Sequence, residues 1–559
     1  MNIKAKYQDF SLLVLVHIFQ LIFIFSAYRL EPDPHHDGVI YGAGIGSSQG
    51  LIPHRDFLSQ YGPIQPIVNG AWLHLFGTTL LNLRVFYCLL LVISSWLVYS
   101  MLTNYVGKSL ALLIPSVWIL TGPFGLPWPS ILGTFFTLVS IKLIEHSVTK
   151  MKNHENFLVT SILSGSSIGL CIFVRIHVAA VGVLVTMALL YFVRTKQITR
   201  NLLLSWVSGF VGTFSLYVLV MAMNGSLTYY IDQSIIWPAK FYGRPNFSKS
   251  YFVNWLWYPA TLVFILIIIF IIWKLLRRNN SKLSKITVII AVTSMLVAFS
   301  QASLKEKTGR LTLRNPDILL ITFADRVIHS IGYVMATLVV ITAIYMLVRY
   351  KSLSKMSDVV PVLYVIYGLG VFVQLYPLYD NYHLWMISPV FLLVSAVTIP
   401  EIKNATTILA MKLILTSLVL ALSIQQINSL QYPRYTYKSD ALLGMQSNWV
   451  SAKGTDETLL ELQKITDPIK YLCGHGLYAA SNGRYQAQDR EFYRWTPRPE
   501  LIVDTSTKYV FFCDSTKLDY QNYLSNGWKI SFEIPITMYF EGATKIYWNT
   551  LLENKEYAS

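Results

Sequence analysis

Charged residues are scarce in this sequence. Only 13% of its 559 residues are Asp, Glu, Lys or Arg, whereas soluble globular proteins carry about 25%. Hydrophobic residues make up 54%, and they occur in runs of about 20, the length that crosses the hydrocarbon core of a bilayer. These proportions exclude a soluble enzyme, a secreted disulfide-rich scaffold and a disordered chain. They predict a polytopic α-helical membrane protein.

Cysteine is scarce as well. The four cysteines form no CxxC motif and show no His/Cys spacing typical of zinc sites. Cys88 and Cys171 lie in apolar runs and are expected to be packing residues. Cys473 and Cys513 lie in the C-terminal part, where they either form one disulfide in an oxidising compartment or remain thiols.

Positive charge is unevenly distributed along the chain. Residues 1–430 carry a net charge of +17, and residues 431–559 carry a net charge of −1. The basic excess therefore lies wholly in the apolar part, where membrane orientation accounts for most of it and no nucleic-acid partner is predicted. The division predicts a transmembrane domain, 1–430, followed by a soluble domain, 431–559.

Hydropathy predicts about thirteen transmembrane helices. They are 10–30, 80–103, 109–122, 128–148, 156–174, 178–193, 201–223, 252–276, 284–303, 329–349, 358–377, 384–400 and 407–428. The run 10–30 resembles a signal peptide, but it is long and lacks a small-residue cleavage site. We therefore predict a retained first helix.

Clusters of Lys and Arg orient these helices. They all fall on one side of the predicted topology: Lys4/Lys6, Lys150/Lys152, Arg194/Lys196/Arg200, Lys274/Arg277/Arg278/Lys282/Lys285 and Arg349/Lys351/Lys355. The positive-inside rule makes that side cytoplasmic. The outer side then holds the C-terminal domain and the segments 31–79, 122–128, 224–251, 304–328 and 376–384.

The outer C-terminal domain is predicted to be a small α/β or α+β unit. Tyr509–Cys513 and Trp528–Ile534 have the composition of strands, and Asp519–Asn526 predicts a helix or turn before the second one. No glycine-rich nucleotide loop occurs there.

Polar residues concentrate in the first outer segment, residues 31–79. Asp33, His35, His36, Asp37, His54, Arg55 and Asp56 all lie in it. The glycine-containing run 38–50 predicts a short helix along the membrane surface. Loops on a rigid scaffold commonly carry function, so a site is expected here. The alternative is a solvated loop whose charges have no such role.

Two further groups of polar residues lie on the outer side. The first group contains Asp380, Asn381 and His383, which lie among aromatic residues. An aromatic belt at the membrane interface explains the Tyr and Trp residues but not the Asp and His. The outer cations include Arg175, Lys240, Arg244 and Arg326. They oppose the positive-inside bias and suit a phosphate partner. Pairing with nearby acids or lipid headgroups is the alternative.

Histidines and acids of the first outer segment also offer a candidate metal site. A divalent cation such as Mg or Mn could lie between carboxylates and a lipid phosphate, with Asp37 and His36 as ligands. Adjacent histidines on one loop are weak support for structural zinc.

Four outer motifs resemble those of the GT-C superfamily of integral-membrane glycosyltransferases. They are Asp37-Gly-Val-Ile-Tyr41, Gly50-Leu-Ile-Pro-His-Arg-Asp-Phe57, Tyr61-Gly-Pro63 and the Tyr-Pro-x-x-Asp-x-x-His run at 376–383. That superfamily includes protein mannosyltransferases and the lipid A aminoarabinose transferase. His36 precedes Asp37 where several members have two acidic residues, so Asp33 and Asp56 are further candidates for the base.

The resemblance implies an inverting hexosyl- or pentosyltransferase with a polyprenyl-phosphate-sugar donor. Asp37 would be the general base on an acceptor hydroxyl. The four outer cations named above would bind the leaving phosphate. Substrate-binding residues would be His36, Tyr41, His54, Arg55, Asp56, Tyr61, Asp380 and His383. The acceptor would be a cell-envelope glycan, a lipid such as lipopolysaccharide, or a protein, outside a bacterial inner membrane.

Two other functions remain open. An O-antigen polymerase or ligase would carry its key residues in a large late outer loop. A transporter would need ionisable groups near the bilayer midplane. The density of polar residues in the early segment 31–79 favours the transferase over both.

Overall fold

The protein is represented by a computed structural model. It describes residues 28–33, 36–59, 61–120, 127–242, 339, 342, 359–375, 381–400, 404–429, 434–447, 451–467, 469–472, 476–479, 508–515, 520–540 and 543–554. Every structural statement here concerns those residues.

The part of the chain before residue 430 is helical. Its α-helices are α1 (His36–Ser48), α2 (Ile64–Phe76), α3 (Leu80–Val106), α4 (Lys108–Leu120), α5 (Pro129–Lys152), α6 (Leu158–Ile172), α7 (Ala179–Arg194), α8 (Arg200–Met223), α9 (Leu227–Ile231), α10 (Trp237–Tyr242), α11 (Val359–Phe372), α12 (Asn381–Leu392), α13 (Ser395–Thr398) and α14 (Ala405–Ser429). Short 3₁₀ turns occur at Ile176–Val178 and Val373–Leu375, and a π-helical turn occurs at Asp232–Ile236.

Four helices of the described part are long and apolar enough to cross a membrane. They are Leu80–Val106, Pro129–Lys152, Ile176–Arg194 and Arg200–Met223. Helices α4, α6 and α11 are apolar but shorter. The predicted class, a helical membrane protein, is confirmed. The predicted helices 252–276 and 284–303, with nearly all of 10–30 and 329–349, lie outside the described residues, so the count of thirteen stays a prediction.

Local sequence sets the ends of α3. Thr79 caps its first turn, because the Thr79 hydroxyl accepts a hydrogen bond from the Asn82 backbone N–H at 3.2 Å. Gly107, with φ of +78°, ends the helix. Its 27 residues give a length of about 40 Å, which exceeds a hydrocarbon core of about 30 Å.

Glycines let α6 and α8 pack closely. A Cβ atom on Gly165 would lie 1.9 Å from the Trp206 carbonyl oxygen, and one on Gly209 would lie 2.0 Å from the Ile162 carbonyl oxygen. Small residues allow such close approach of membrane helices. Elsewhere α8 exposes large apolar side chains, among them Leu216 and Leu219. A surface of this kind is suited to contact with lipid.

The C-terminal domain contains a hairpin and a four-stranded sheet. The hairpin pairs β1 (Tyr435–Thr436) with β2 (Gln446–Ser447). The sheet has the order β3-β4-β6-β5. Its strands are β3 (Ile469–Leu472), β4 (Tyr509–Ser515), β5 (Trp528–Phe540) and β6 (Ala543–Asn554), and the helices of the domain are α15 (Ala452–Gln463), α16 (Gly476–Ala479) and α17 (Gln521–Ser525).

Strand β3 runs parallel to β4, and the other pairs are antiparallel. The two predicted strands and the intervening helix are present, with β5 longer than expected. Sequence reasoning missed β3, β6 and α15. Cys513 is disulfide-bonded, while Cys88 and Cys171 are free and buried. Cys473, the expected partner of Cys513, lies outside the described residues.

Candidate functional site

Trp128 lies at the centre of a polar cluster on the side that the sequence predicts to face outward. It immediately precedes α5, at the end opposite Lys150 and Lys152. The Trp128 ring centroid lies 5.6 Å from that of His36, 5.3 Å from that of Tyr61 and 6.2 Å from that of His383. Three predicted substrate-binding residues, two from the first outer segment and one from the late segment 376–384, are therefore brought together around one indole ring.

The Tyr61-Gly-Pro63 turn is held against the chain between α6 and α7. The Gly62 N–H donates to the Val174 carbonyl at 3.3 Å, and the Ile64 N–H donates to the Phe173 carbonyl at 3.1 Å. A Cβ atom on Gly62 would lie 1.9 Å from the Phe173 carbonyl oxygen. Only glycine fits this contact, which explains why the motif has glycine at its centre.

Arg175 follows directly on the segment that contacts this turn. Its guanidinium carbon lies 5.9 Å from the centroid of the Tyr61 ring, within the range of a cation–π interaction. One of its Nη atoms donates to the Ser130 hydroxyl at the start of α5. Arg175 is only 8% exposed. A largely desolvated guanidinium at the outer end of the helices is suited to binding an anion.

His383 and Gln374 lie at the late outer segment. The Trp128 Nε1–H donates to His383 Nε2 at 3.3 Å, which places the ring proton of a neutral His383 on Nδ1. The Gln374 side chain is 1% exposed, and both of its polar atoms lack a hydrogen-bond partner in the described part of the chain. Its turn, Val373–Leu375, packs against Ile176–Val178. A buried, unpaired amide is costly unless a ligand satisfies it.

The side chains of Asp33 and His36 are hydrogen-bonded at the start of α1. His36 Nδ1 lies 2.7 Å from the Asp33 carboxylate, and the His36 backbone N–H donates to the same group at 3.0 Å. The side chains of His36 and Asp33 are 49% and 27% exposed. This pair is therefore accessible from outside and adjoins Trp128.

Asp37 has a different environment. It is fully buried, and Arg84 from α3 donates to its carboxylate from both Nε and Nη2. The Asp33 N–H donates to it as well, at 2.7 Å. Burial raises the pKa of Asp37 above its ordinary value, and the Arg84 guanidinium acts against that shift.

Arg84 also binds the chain that leads into α1. It donates to three backbone carbonyls, those of Tyr28 at 2.8 Å, Leu30 at 2.7 Å and Glu31 at 3.2 Å. The Arg84–Asp37 pair thereby fixes residues 28–37 to α3.

The Gly50–Phe57 motif forms a tight turn fixed to the π-helical turn. The Asp56 carboxylate accepts from the Ile52 N–H at 2.8 Å and from Arg55 Nε at 2.7 Å. His54 is buried, and its Nδ1 lies 3.0 Å from Gln233 Oε1. Burial lowers the pKa of His54 to about 4, so the ring is neutral at pH 7. These predicted substrate-binding residues thus have intramolecular partners.

The remaining predicted site residues are separate from this cluster or outside the described part. Tyr41 is buried, and its hydroxyl donates to the Thr78 carbonyl at 2.5 Å, which ties α1 to the start of α3. Lys240 is exposed on α10. Arg244, Arg326 and Asp380 lie outside the described residues.

The described residues do not show the metal site considered from the sequence, and a divalent cation stays a prediction. No group of three or more His, Cys, Asp and Glu side chains among the described residues could hold a metal ion. The Asp37 carboxylate is already engaged by Arg84 and by the Asp33 N–H. A cation bound by Asp37 and His36 would have to displace these bonds.

Sequence reasoning missed several residues of the cluster. Trp128 and Ser130 stand at a predicted helix end with no distinguishing motif. Arg84 is evident in the sequence as an ionisable residue near the end of a predicted helix, which requires an acidic or carbonyl partner, but its partner Asp37 was not predicted. Gln233 carried no recognisable signal.

No protein-family model and no curated protein matches this chain. Solved structures of membrane glycosyltransferases resemble it. The oligosaccharyltransferase of Archaeoglobus fulgidus, tethered with an acceptor peptide, is 13% identical and has a TM-score of 0.48, over 91% of this chain and 69% of its own. The archaeal oligosaccharyltransferase AglB from the same organism, in complex with an inhibitory peptide and a dolichol-phosphate, is 12% identical. Its TM-score is 0.46, over 87% of this chain and 65% of its own.

ArnT of Cupriavidus metallidurans, bound to undecaprenyl phosphate, is 11% identical with a TM-score of 0.44, over 96% of this chain and 98% of its own. These structural neighbours belong to the GT-C superfamily that the outer motifs resemble.

Proposed function

We propose that this protein transfers a sugar from a polyprenyl-phosphate donor to an acceptor hydroxyl or amide at the outer face of the membrane. The observation that carries the proposal is the cluster around Trp128. It combines a buried cation, a carboxylate–histidine pair and aromatic rings at one end of the apolar helices. The acceptor is a cell-envelope glycan, lipid or protein. The transferase itself lies in a bacterial inner membrane.

Arg175 binds the donor phosphate in this proposal. A polyprenyl chain lies in the bilayer, so its phosphate emerges at the membrane boundary, where the outer ends of α5 and α7 are located. The Arg175 guanidinium is 8% exposed and can stabilise the negative charge that develops on the leaving phosphate. Lys240, Arg244 and Arg326 remain further candidates from the sequence.

Aromatic and amide groups contact the sugar. Trp128 and Tyr61 have the flat apolar faces on which sugar rings stack. His383 and the unpaired amide of Gln374 supply hydrogen-bonding groups for sugar hydroxyls. Burial of a polar group without a partner costs about 1–3 kcal/mol, and a hydroxyl of the bound sugar would remove that cost at Gln374.

The Asp33–His36 pair supplies the general base. The Asp33 carboxylate is partly exposed, next to the Trp128 cluster, while the Asp37 carboxylate is fully buried and bound to Arg84. A base must reach the proton it accepts. Asp37, the base implied by the superfamily resemblance, is assigned here the role of holding the segment that carries Asp33. No step of this proposal depends on a metal.

The binding of undecaprenyl phosphate tests the proposal. Full-length protein in lipid nanodiscs is titrated with undecaprenyl phosphate, and retained lipid is measured by mass spectrometry. We expect Arg175→Gln to weaken binding by about tenfold to a hundredfold, because a desolvated charge-assisted contact is lost. Arg175→Lys should retain part of it.

Arg200→Gln is the matched control, because Arg200 is an exposed arginine at the cytoplasmic end of α8. Wild-type binding by a folded Arg175→Gln variant, or equal losses in both variants, would contradict the assignment of Arg175 to the donor phosphate.

A further inference from the structure

The C-terminal domain bonds directly to the segment that leads into α1. The Glu31 N–H donates to the Gln446 carbonyl at 2.8 Å, and the Gln446 N–H donates to the Arg29 carbonyl at 2.8 Å. The Ser447 hydroxyl donates to the Glu31 carboxylate at 2.5 Å, and Arg434 Nε lies 3.7 Å from its other oxygen. Glu31, Arg434, Gln446 and Ser447 are termed the Glu31 junction.

The junction is shielded from solvent. Ser447 is fully buried, and the side chain of Arg434 is 7% exposed. Charge-assisted bonds are stronger in such surroundings than at an open surface. Glu31 also has φ of +50°, a left-handed conformation that non-glycine residues adopt only where the surrounding structure imposes it. Here the backbone bonds to Gln446 impose it.

The bonds continue from the junction to the site. The Glu31 carbonyl accepts from Arg84 Nη2 at 3.2 Å, and Arg84 pairs with Asp37. Asp37 accepts from the Asp33 N–H at 2.7 Å, and Asp33 pairs with His36. One continuous set of contacts therefore joins the C-terminal domain to the exposed carboxylate–histidine pair.

Further packing holds the domain at this place. Helix α16 packs on α1. A Cβ atom on Gly444 would lie 3.2 Å from the Leu81 side chain of α3, and the Gly444 φ is +81°. The domain thus contacts both the helix that carries His36 and the helix that carries Arg84.

We propose that the C-terminal domain positions the Asp33–His36 pair, with Arg434 and Ser447 as positioning residues that act through Glu31. Segment 28–33 lies between Arg84 on the membrane side and the β1–β2 hairpin on the other. Loss of the hairpin contacts leaves it fixed on one side only. The effect on turnover rests on the proposed function; the effect on segment 28–33 does not.

Hydrogen exchange tests the positioning directly. Full-length wild type and the double variant Arg434→Gln/Ser447→Ala, both in nanodiscs, are compared by mass spectrometry of peptides covering 28–41. We expect exchange of these amides to accelerate about tenfold, because the Ser447 hydrogen bond and the Arg434 ion pair to the Glu31 carboxylate are lost. Peptides from α15 should keep wild-type protection, which shows that the domain itself stays folded.

Lys464→Ala is the control, because it removes an exposed ion pair with Glu461 elsewhere in the same domain. The single variant Ser447→Thr keeps both the hydroxyl and Arg434, so residues 28–41 should keep wild-type protection in it. Unchanged exchange over 28–41 in the double variant overturns the inference.

Turnover of a polyprenyl-phosphate sugar gives the second readout. We expect kcat to fall about tenfold in the double variant while KM for the donor changes little, because Arg175 is not part of the network. Accelerated exchange with unchanged kcat overturns the positioning role. If the wild type shows no turnover, the proposed function fails. The exchange data alone then test whether the C-terminal domain holds segment 28–33.

Discussion

At the scale of single residues, two aspartates four positions apart have opposite environments. Asp33 is partly exposed and paired with His36, whereas Asp37 is fully buried and bound by Arg84. Different surroundings give chemically identical groups different roles. The burial of Arg84 and Asp37 also means that neither charge can be removed alone without leaving the other unpaired.

Substitution by asparagine separates the two roles. We expect Asp33→Asn to lower kcat by about 10²–10⁴, the contribution typical of a general base, with little change in the thermal unfolding midpoint. We expect Asp37→Asn to lower the free energy of unfolding by about 3–5 kcal/mol, because Arg84 stays buried without its partner. The measurements are turnover of a polyprenyl-phosphate sugar and thermal unfolding in detergent.

The opposite effects of the two substitutions would support the sequence-based prediction that Asp37 is the base. An Asp37→Asn variant with the wild-type unfolding midpoint and no turnover, beside an active Asp33→Asn variant, would identify Asp37 as the base.

At the scale of elements, glycine decides how closely segments approach. Gly62 lets the Tyr61-Gly-Pro63 turn lie on the Phe173 carbonyl, and this contact brings Tyr61 to Arg175. Gly165 and Gly209 do the same for α6 and α8. In each case a backbone carbonyl occupies the space that a side chain would need.

Two glycines of α8 provide a matched pair for a stability test. In Gly209→Ala the new methyl group would collide with the Ile162 carbonyl, and we expect destabilisation by about 1–3 kcal/mol. Among the described residues, apart from its chain neighbours and the backbone of its own helix, Gly212 has no atom within 4 Å of an added Cβ. Gly212→Ala should therefore leave stability unchanged or raise it by up to about 1 kcal/mol through helix propensity. Thermal unfolding in detergent measures both, and equal midpoints would refute close α6–α8 packing.

At the scale of the whole molecule, the positive-inside rule sets which end of the bundle faces outward. That rule predicts that the Trp128 cluster and the C-terminal domain share the outer side and that Lys196 lies on the inner side. The Glu31 junction requires the domain and the first outer segment to be on the same side, which agrees with that orientation.

Thiol labelling tests the orientation. Lys529→Cys, at a half-exposed position of β5, should react with a membrane-impermeant maleimide in intact cells. Lys196→Cys, at an exposed position, should react only after permeabilisation. The native cysteines of the described residues interfere little, because Cys88 and Cys171 are buried and Cys513 is disulfide-bonded. Reversed labelling of the two variants would place the cluster inside the cell.

Features that depend on neighbours in sequence were predictable. Hydropathy located α3, α5 and α8 to within a few residues, because a membrane helix forms its hydrogen bonds within its own segment. The same local signals predicted α1, β4 and part of β5. Charge distribution predicted the division between a transmembrane part and a C-terminal domain, and the assignment of Arg175 to the outer cations stays a prediction.

Features that depend on distant partners were decided only by the tertiary structure. The sequence predicted Asp37 as the base, and it contained no signal that Arg84, 47 positions away, binds the Asp37 carboxylate in the interior. It gave no reason to single out Trp128, or to pair Glu31 with Ser447, 416 positions away. Hydropathy indicates which residues are buried away from water, and it is evaluated for each segment separately. Which buried charges and hydrogen-bonding groups satisfy one another depends on how the segments pack.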